Sequence, residues 1–184
     1  DACTALGEYI SGDETSFIAL MNKRAKELGM KNTNFENCSG LDDTVTNHYS
    51  TARDVAIMSC ELMKHDKIKE YTTIWMDSLR NGETQLVNTN RLIRYYDGAT
   101  GLKTGTTSKA GYCVSATAER DGMALVAVVL GSDNSTQRFE DAKKMLNWGF
   151  ANYSIYEPQI DTSLITDVTV LCGEQDTIKP TVKN

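Results

Sequence analysis

This sequence predicts a mixed α/β fold of the α+β kind, an antiparallel sheet with helices packed on it. Three observations lead there. Apolar residues recur at helical spacing in the first third, two stretches alternate at strand spacing around Asn-Gly and Asp-Gly turns, and a long amphipathic helical pattern follows the second of these. The 184 residues suffice for one sizeable core and a small appendage.

The elements follow in order. Ser11-Gly-Asp-Glu14 has the form of a capping box, which predicts a helix start. Phe17, Leu20, Met21, Ala25 and Leu28 then recur at helical spacing, and Gly29 stops the run. A loop rich in Asn, Gly and Asp spans roughly Asn32 to Tyr49. Helical signals return from Ser50, with Val55, Met58, Leu62 and Met63 on one stripe. From about residue 73 the period changes. Trp75–Leu79 and Thr84–Val87 flank Asn81-Gly82, a strong hairpin signal. A second hairpin is clearer: Tyr112, Val114, Ala116 and Ala118 alternate with smaller or polar residues, Asp121-Gly122 turns, and Met123–Leu130 returns almost wholly apolar. Ala99–Thr107 is expected to pair beside it, making three antiparallel strands packed on both faces. A helix over 135–152 turns Phe139, Ala142, Leu146 and Phe150 inward. The texture changes after Pro158, so residues 1–157 are expected to form the main domain and 158–184 the start of a β-rich one. In the latter, 168–171 and 177–180 read as a hairpin.

Composition excludes several functions. With 19 basic residues scattered through a chain of net charge −6, there is no concentrated basic surface for nucleic acid. No apolar run approaches the length of a membrane-spanning helix. Cys3, Cys38, Cys60, Cys113 and Cys172 are odd in number and contain no C-x-x-C pair. Neither His48 nor His65 stands at ligand spacing from them, so these thiols read as small buried hydrophobes or bystanders, with no metal site.

The chemistry is expected at Lys103-Thr104-Gly105. A K-T-G tripeptide alone is weak, but this one lies on a strand that turns directly into another. Lysine there supplies a fixed charge, threonine a hydroxyl, and glycine the room for another backbone to lie alongside. A phosphate loop is excluded because Leu102, not glycine, precedes Lys103 and a strand follows. His48 stands without any G-x-S-x-G, so it reads as structural or solvent-facing.

His48-Tyr-Ser-Thr-Ala-Arg-Asp54, Asn88-Thr-Asn-Arg91, the K-T-G strand with its hairpin, and Arg138-Phe-Glu-Asp-Ala142 through Trp148-Gly-Phe150 occur in that order. The order resembles the S11 peptidases, serine-type D-alanyl-D-alanine carboxypeptidases among the low-molecular-mass penicillin-binding proteins, over about residues 1–157. The resemblance implies a β-lactamase/transpeptidase-like fold and hydrolysis of peptidoglycan stem peptides ending in D-Ala-D-Ala. It also implies β-lactams as acylating inhibitors, no metal or organic cofactor, and an exported protein of the extracytoplasmic cell envelope. Carried to this chain, Lys103 would polarise the motif serines and Thr104 would engage the substrate carboxylate region. Gly105 would let substrate backbone approach, and the Thr106 N–H would be one arm of the oxyanion hole. Arg91 would anchor the terminal carboxylate, with Arg94 a near neighbour for the same task.

Two family motifs do not match. No S-x-x-K exists anywhere in the chain, and the S-x-N string Ser132-Asp-Asn134 follows K-T-G instead of preceding it, at a strand-to-helix turn where Asn134 or Ser135 is expected to cap a helix. In the family, Asp1-Ala-Cys-Thr-Ala-Leu6 is similar to what directly follows S-x-N. The missing motifs are therefore expected upstream of Asp1, the fold is expected to be truncated at its N-terminus, and the isolated chain to be inactive. Membrane anchoring beyond Asn184 stays open. So do two rival functions: a non-catalytic peptidoglycan-binding or interaction module, and a class A-like β-lactamase. The second is disfavoured because no glutamate has an asparagine four residues later.

Overall fold

The computed structural model describes residues 2–158, 161 and 164–181. They divide into two compact units, Asp1–Ser154 and Ile155–Asn184. Asp1, where the expected truncation falls, and residues 159–160, 162–163 and 182–184 of the expected tail lie outside the described residues.

The first unit opens with two helices, α1 (Ala2–Ser11) and α2 (Glu14–Glu27). Gly7 lets them approach, since a Cβ there would lie 2.7 Å from the Phe17 ring. The capping box expected at Ser11 is not formed. Ser11 is still helical, as the last residue of α1, and an N-cap needs extended backbone. Asp13, at φ −153° and ψ 160°, takes that role and accepts from the Ser16 amide at 2.8 Å and the Ser16 hydroxyl at 2.7 Å. The hydroxyl, and then the amide, hold its carboxyl below the ordinary range. Glu14 turns instead to Cys38, accepting from its amide at 3.3 Å and its thiol at 3.2 Å.

The loop that follows is stitched at its base. Asp54, buried in α3 (Ala52–Leu62), accepts from the Asn32 amide at 2.7 Å and the Thr33 hydroxyl at 2.8 Å. His48 is structural: its Nδ1 accepts from the Glu36 amide at 3.1 Å and its ring meets Phe35 edge-on. A short helix α4 (Asp66–Thr72) precedes the first hairpin, β1 (Met76–Leu79) with β2 (Thr84–Val87), both wholly exposed.

After the four-residue helix α5 (Leu92–Tyr95) comes the central sheet. It consists of β3 (Ala99–Thr107), β4 (Gly111–Arg120) and β5 (Met123–Ser132), antiparallel and in that spatial order. Helix α6 (Ser135–Asn152) packs on one face. There Val114, Ala116, Ala118 and Ala127 meet Phe139, Ala142 and Leu146, with Leu92 and Tyr96 closing the end. On the other face Ser115 and Thr117 turn toward α3, where the Ser59 and Ser115 hydroxyls bond at 2.7 Å in a buried pair. Small residues in β4 allow close helix approach on both sides, which is why this strand is the most buried of the three.

The five cysteines are free thiols, but they are not buried. Cys3, Cys60 and Cys172 are exposed and Cys38 and Cys113 half-buried; Cys38 and Cys172 lie in loops, outside any helix or strand that could bury them. In the second unit the expected hairpin is present in short form, β6 (Val168–Thr169) pairing with β7 (Thr177–Ile178).

Candidate active site

Strand β3 is an edge strand. It pairs with β4 alone among the described residues, so no strand covers its other side. The pleat sorts its side chains. Thr104, opposite Val114, turns to the α6 face and is 8% exposed; Lys103 and Gly105, opposite Ser115 and Cys113, turn to the other face and are open to solvent. The Lys103 ammonium curls onto the Thr104 carbonyl and meets no carboxylate among the described residues. A Cβ on Gly105 would find nothing within 4 Å. No packing demand within the described residues explains that glycine, which fits a position kept bare for an incoming backbone.

The segment before α5 braces this strand. The Thr89 and Thr104 hydroxyls bond at 2.7 Å, and buried Asn90 donates from Nδ2 to the Gly101 carbonyl at 2.9 Å. Asn88 holds the brace itself, its Oδ1 accepting from the Asn90 amide at 2.8 Å and its Nδ2 donating to the Ile74 carbonyl at 2.9 Å.

From α6 a buried arginine reaches the same strand. Arg138 is 5% exposed, and its Nη1 donates to the Gly105 carbonyl, the Thr106 hydroxyl and the Cys113 carbonyl, each at 3.1 Å. Its Nη2 reaches only the Ser135 hydroxyl at 3.5 Å, and its buried Nε has no partner. The guanidinium lies over the Phe139 ring at 4.8 Å and the Tyr112 ring at 5.5 Å. Burial pulls it below its usual basicity, and the positive charge of Arg91 adds to that.

Arg91 itself stands at the start of α5, exposed, at the rim of a cleft of about 200 Å³ shared with Thr136, Glu140 and Lys143 of α6. Its side chain makes no hydrogen bond or ion pair among the described residues. Arg94 points elsewhere, over the rings of Trp75 and Tyr95. The Arg91 charge therefore bears on Arg138, and both arginines are without an ion pair among the described residues. At the other end of β5, Asn134 caps α6, its Oδ1 accepting from the Thr136 amide at 3.0 Å and the Gln137 amide at 2.9 Å. Ser132-Asp-Asn134 is thus a helix start.

Of the residues expected from sequence, the structure sets Lys103, Thr104, Gly105 and Thr106 consecutively along one open edge, with Arg91 on a neighbouring helix. Sequence reasoning missed Thr89, Asn90 and Arg138. One signal pointed to the last: Arg138 lies four residues before Ala142 and eight before Leu146, on the stripe the helical period assigns to the core. An arginine there needs a buried partner.

An open K-T-G edge strand, an antiparallel sheet and helices on both faces define the transpeptidase-like class of penicillin-recognising proteins. The ampicillin-bound and cefotaxime-bound crystal structures of penicillin-binding protein D2 from Listeria monocytogenes each superpose with a TM-score of 0.74 at 37% identity, over 82% of this chain and about 60% of theirs. The Streptomyces K15 DD-transpeptidase superposes with a TM-score of 0.69 at 33% identity, over 74% of this chain and 55% of that one. The family described as D-alanyl-D-alanine carboxypeptidase, Peptidase S11, matches residues 1–134, and the chain belongs to it. Curated relatives include D-alanyl-D-alanine carboxypeptidase DacF of Bacillus subtilis, 42% identical over 98% of this chain and 47% of its own length. DacC of Escherichia coli is 39% identical over 90% of this chain and 41% of its own length. The chain spans about half the length of the curated relatives it matches.

Proposed function

We propose that this chain supplies the K-T-G side of the active site of a serine-type D-alanyl-D-alanine carboxypeptidase acting on peptidoglycan stem peptides in the extracytoplasmic envelope, with β-lactams as acylating inhibitors. The observation that carries the reading is the open edge of β3, where Lys103 and Gly105 are bare and the Arg138 guanidinium is held against Gly105 and Thr106. Substrate lies along this edge with its terminal carboxylate toward Thr104 and the unpaired charges of Arg138 and Arg91. The scissile carbonyl then falls at the Thr106 N–H, which stabilises the oxyanion. A serine supplied from outside these 184 residues attacks that carbonyl, the C–N bond breaks, and the terminal D-alanine leaves with a proton on its nitrogen. Water then cleaves the ester and restores the serine. Lys103 contributes a positive charge beside the nucleophile throughout.

Intact mass spectrometry with benzylpenicillin tests this. The 184-residue chain alone should show no adduct, and the same chain joined to a segment bearing S-x-x-K and S-x-N should gain one penicillin. An adduct on the chain alone would place the nucleophile among its own serines. Absence of S-x-x-K and S-x-N from the sequence encoded upstream would favour the non-catalytic peptidoglycan-binding reading, which the lack of S-x-x-K in these residues already keeps in view.

A further inference from the structure

The loop between α2 and α3 is well tied at its base but not at its tip. Among the described residues, the hydrogen bonds that leave residues 39–45 for anything outside the loop all run from Asp42. Its carboxylate accepts from the Thr107 hydroxyl, and its backbone carbonyl accepts from the Lys109 ammonium at 2.8 Å. The remaining tip bonds are internal: Asn37 Nδ2 donates to the Leu41 carbonyl at 2.6 Å, the Gly40 amide to Asn37 Oδ1 at 2.8 Å, and the Leu41 amide to the Ser39 hydroxyl at 3.4 Å. Thr107 also accepts from the Ala110 amide at 2.9 Å, so the same hydroxyl shapes the β3–β4 turn and holds the loop.

Thr107 shares the open face of β3 with Lys103 and Gly105, four and two residues away. If the terminal carboxylate lies toward Thr104 and the scissile carbonyl at Thr106, the residues preceding the scissile bond must run on toward Thr107–Lys109. They arrive where the loop tip is fastened.

We propose that Asp42 is a positioning residue, latching the 39–45 loop tip to the β3–β4 turn so that the tip walls the subsite for the acyl-side residues of the peptide, those before the two terminal D-alanines. This rests on the carboxypeptidase reading. The latch selects for long peptides over minimal ones, because a dipeptide substrate ends before it reaches the wall.

The latch is tested first in the chain itself, by amide hydrogen exchange. Asp42→Ala should speed exchange across 39–45 by about tenfold or more while the core amides of β4 keep their protection. Thr107→Val, which cuts the same contact from the other side, should do likewise. Asp42→Asn keeps an acceptor for the Thr107 hydroxyl and should exchange as the parent does. Unchanged tip exchange in both Asp42→Ala and Thr107→Val overturns the latch. The subsite is tested in the nucleophile-bearing enzyme, comparing a stem pentapeptide with an N-acetylated D-Ala-D-Ala dipeptide. Asp42→Ala should lower kcat/KM for the pentapeptide about tenfold more than for the dipeptide, through KM, a difference of about 1.4 kcal/mol. Asp42→Asn should restore the ratio, and equal losses on both substrates overturn the subsite. Release of D-alanine from neither substrate by the parent enzyme would sink the carboxypeptidase reading and the subsite with it, while the exchange result would still report on the latch.

Discussion

Gly98, just before β3, and Gly105, near its far end, stand seven residues apart, and the molecule uses them in opposite ways. Gly98 has φ +75°, and a Cβ on it would lie 2.5 Å from the Glu119 carbonyl oxygen. Its own carbonyl accepts from the Glu119 amide at 2.8 Å, and Arg120 clamps the preceding Asp97 carbonyl through Nε and Nη2. That end of the strand is closed, and its glycine is demanded by backbone and packing. Gly105 has no such demand from any of the described residues. One end of β3 builds the fold and the other leaves space for something else. A glycine that nothing structural explains is better evidence for a binding edge than the three-letter motif containing it.

Substitutions can break or sharpen that contrast. The largest stability loss is expected from Gly98→Ala, which combines left-handed backbone strain with a backbone clash and should cost roughly 2–4 kcal/mol in urea unfolding. Next comes Arg138→Met, which leaves the carbonyls of Gly105 and Cys113 short of a donor and should cost about 1.5–3 kcal/mol. Arg138→Lys should recover it only in part, because an ammonium lacks the planar face that lies over the Phe139 and Tyr112 rings while reaching the strand. Gly105→Ala should change stability by about 0.5 kcal/mol or less, yet slow penicillin acylation of the nucleophile-bearing enzyme by at least about tenfold. A large stability loss from Gly105→Ala would erase the contrast.

The smallest effect concerns the closed end and its pH dependence. Lys69 on α4 meets Glu119 at 3.2 Å, and Glu119's hydrogen bond, then its charge, raise the Lys69 pKa. A lysine whose folded pKa is raised gives stability that is fully present below the unfolded value near 10.4 and lost as pH climbs through the folded one. The Tm deficit of Lys69→Met should therefore be visible at pH 8, shrink only above about pH 10.4, and weaken with added salt. A deficit that stayed constant to high pH would show that lost packing, not charge, was measured.

Much of this architecture is legible in the sequence alone. The long helix was expected over 135–152 and runs from Ser135 to Asn152, because Asn134 caps it and its stripe is long enough to fix the period. Both hairpins followed from turn residues whose φ is positive in the structure: Asn81 and Gly82 in one, Asp121 and Gly122 in the other. Helix α4 was not legible. Its seven residues are too few for a periodic signal, and His65 gives it no side-chain cap. The start of α2 was misplaced by two residues because Ser11 and Asp13 are both good caps on paper, and only the end of α1 decides between them. At the site, the strand could be found from K-T-G and its setting. Its supports Thr89 and Asn90 could not, since tertiary packing brings them there from 15 and 11 residues away; Arg138, 33 residues away, betrays itself only as a charge on a core stripe, with no hint of which strand it reaches.

The principal core has a consequence for how the chain reaches its structure. Every buried residue of that cluster, from Leu92 to Leu146, comes from one uninterrupted stretch: α5, a three-strand meander and the helix after it. Hairpin neighbours and an adjacent helix meet early because little chain must be looped out to join them. Such a stretch can collapse on itself as a nucleus without waiting for distant partners, and α1 to α4 can then dock on a preformed surface. Mutations inside it, such as Ala116→Gly, should slow refolding, whereas those in α1 or α2 should act chiefly on the unfolding rate.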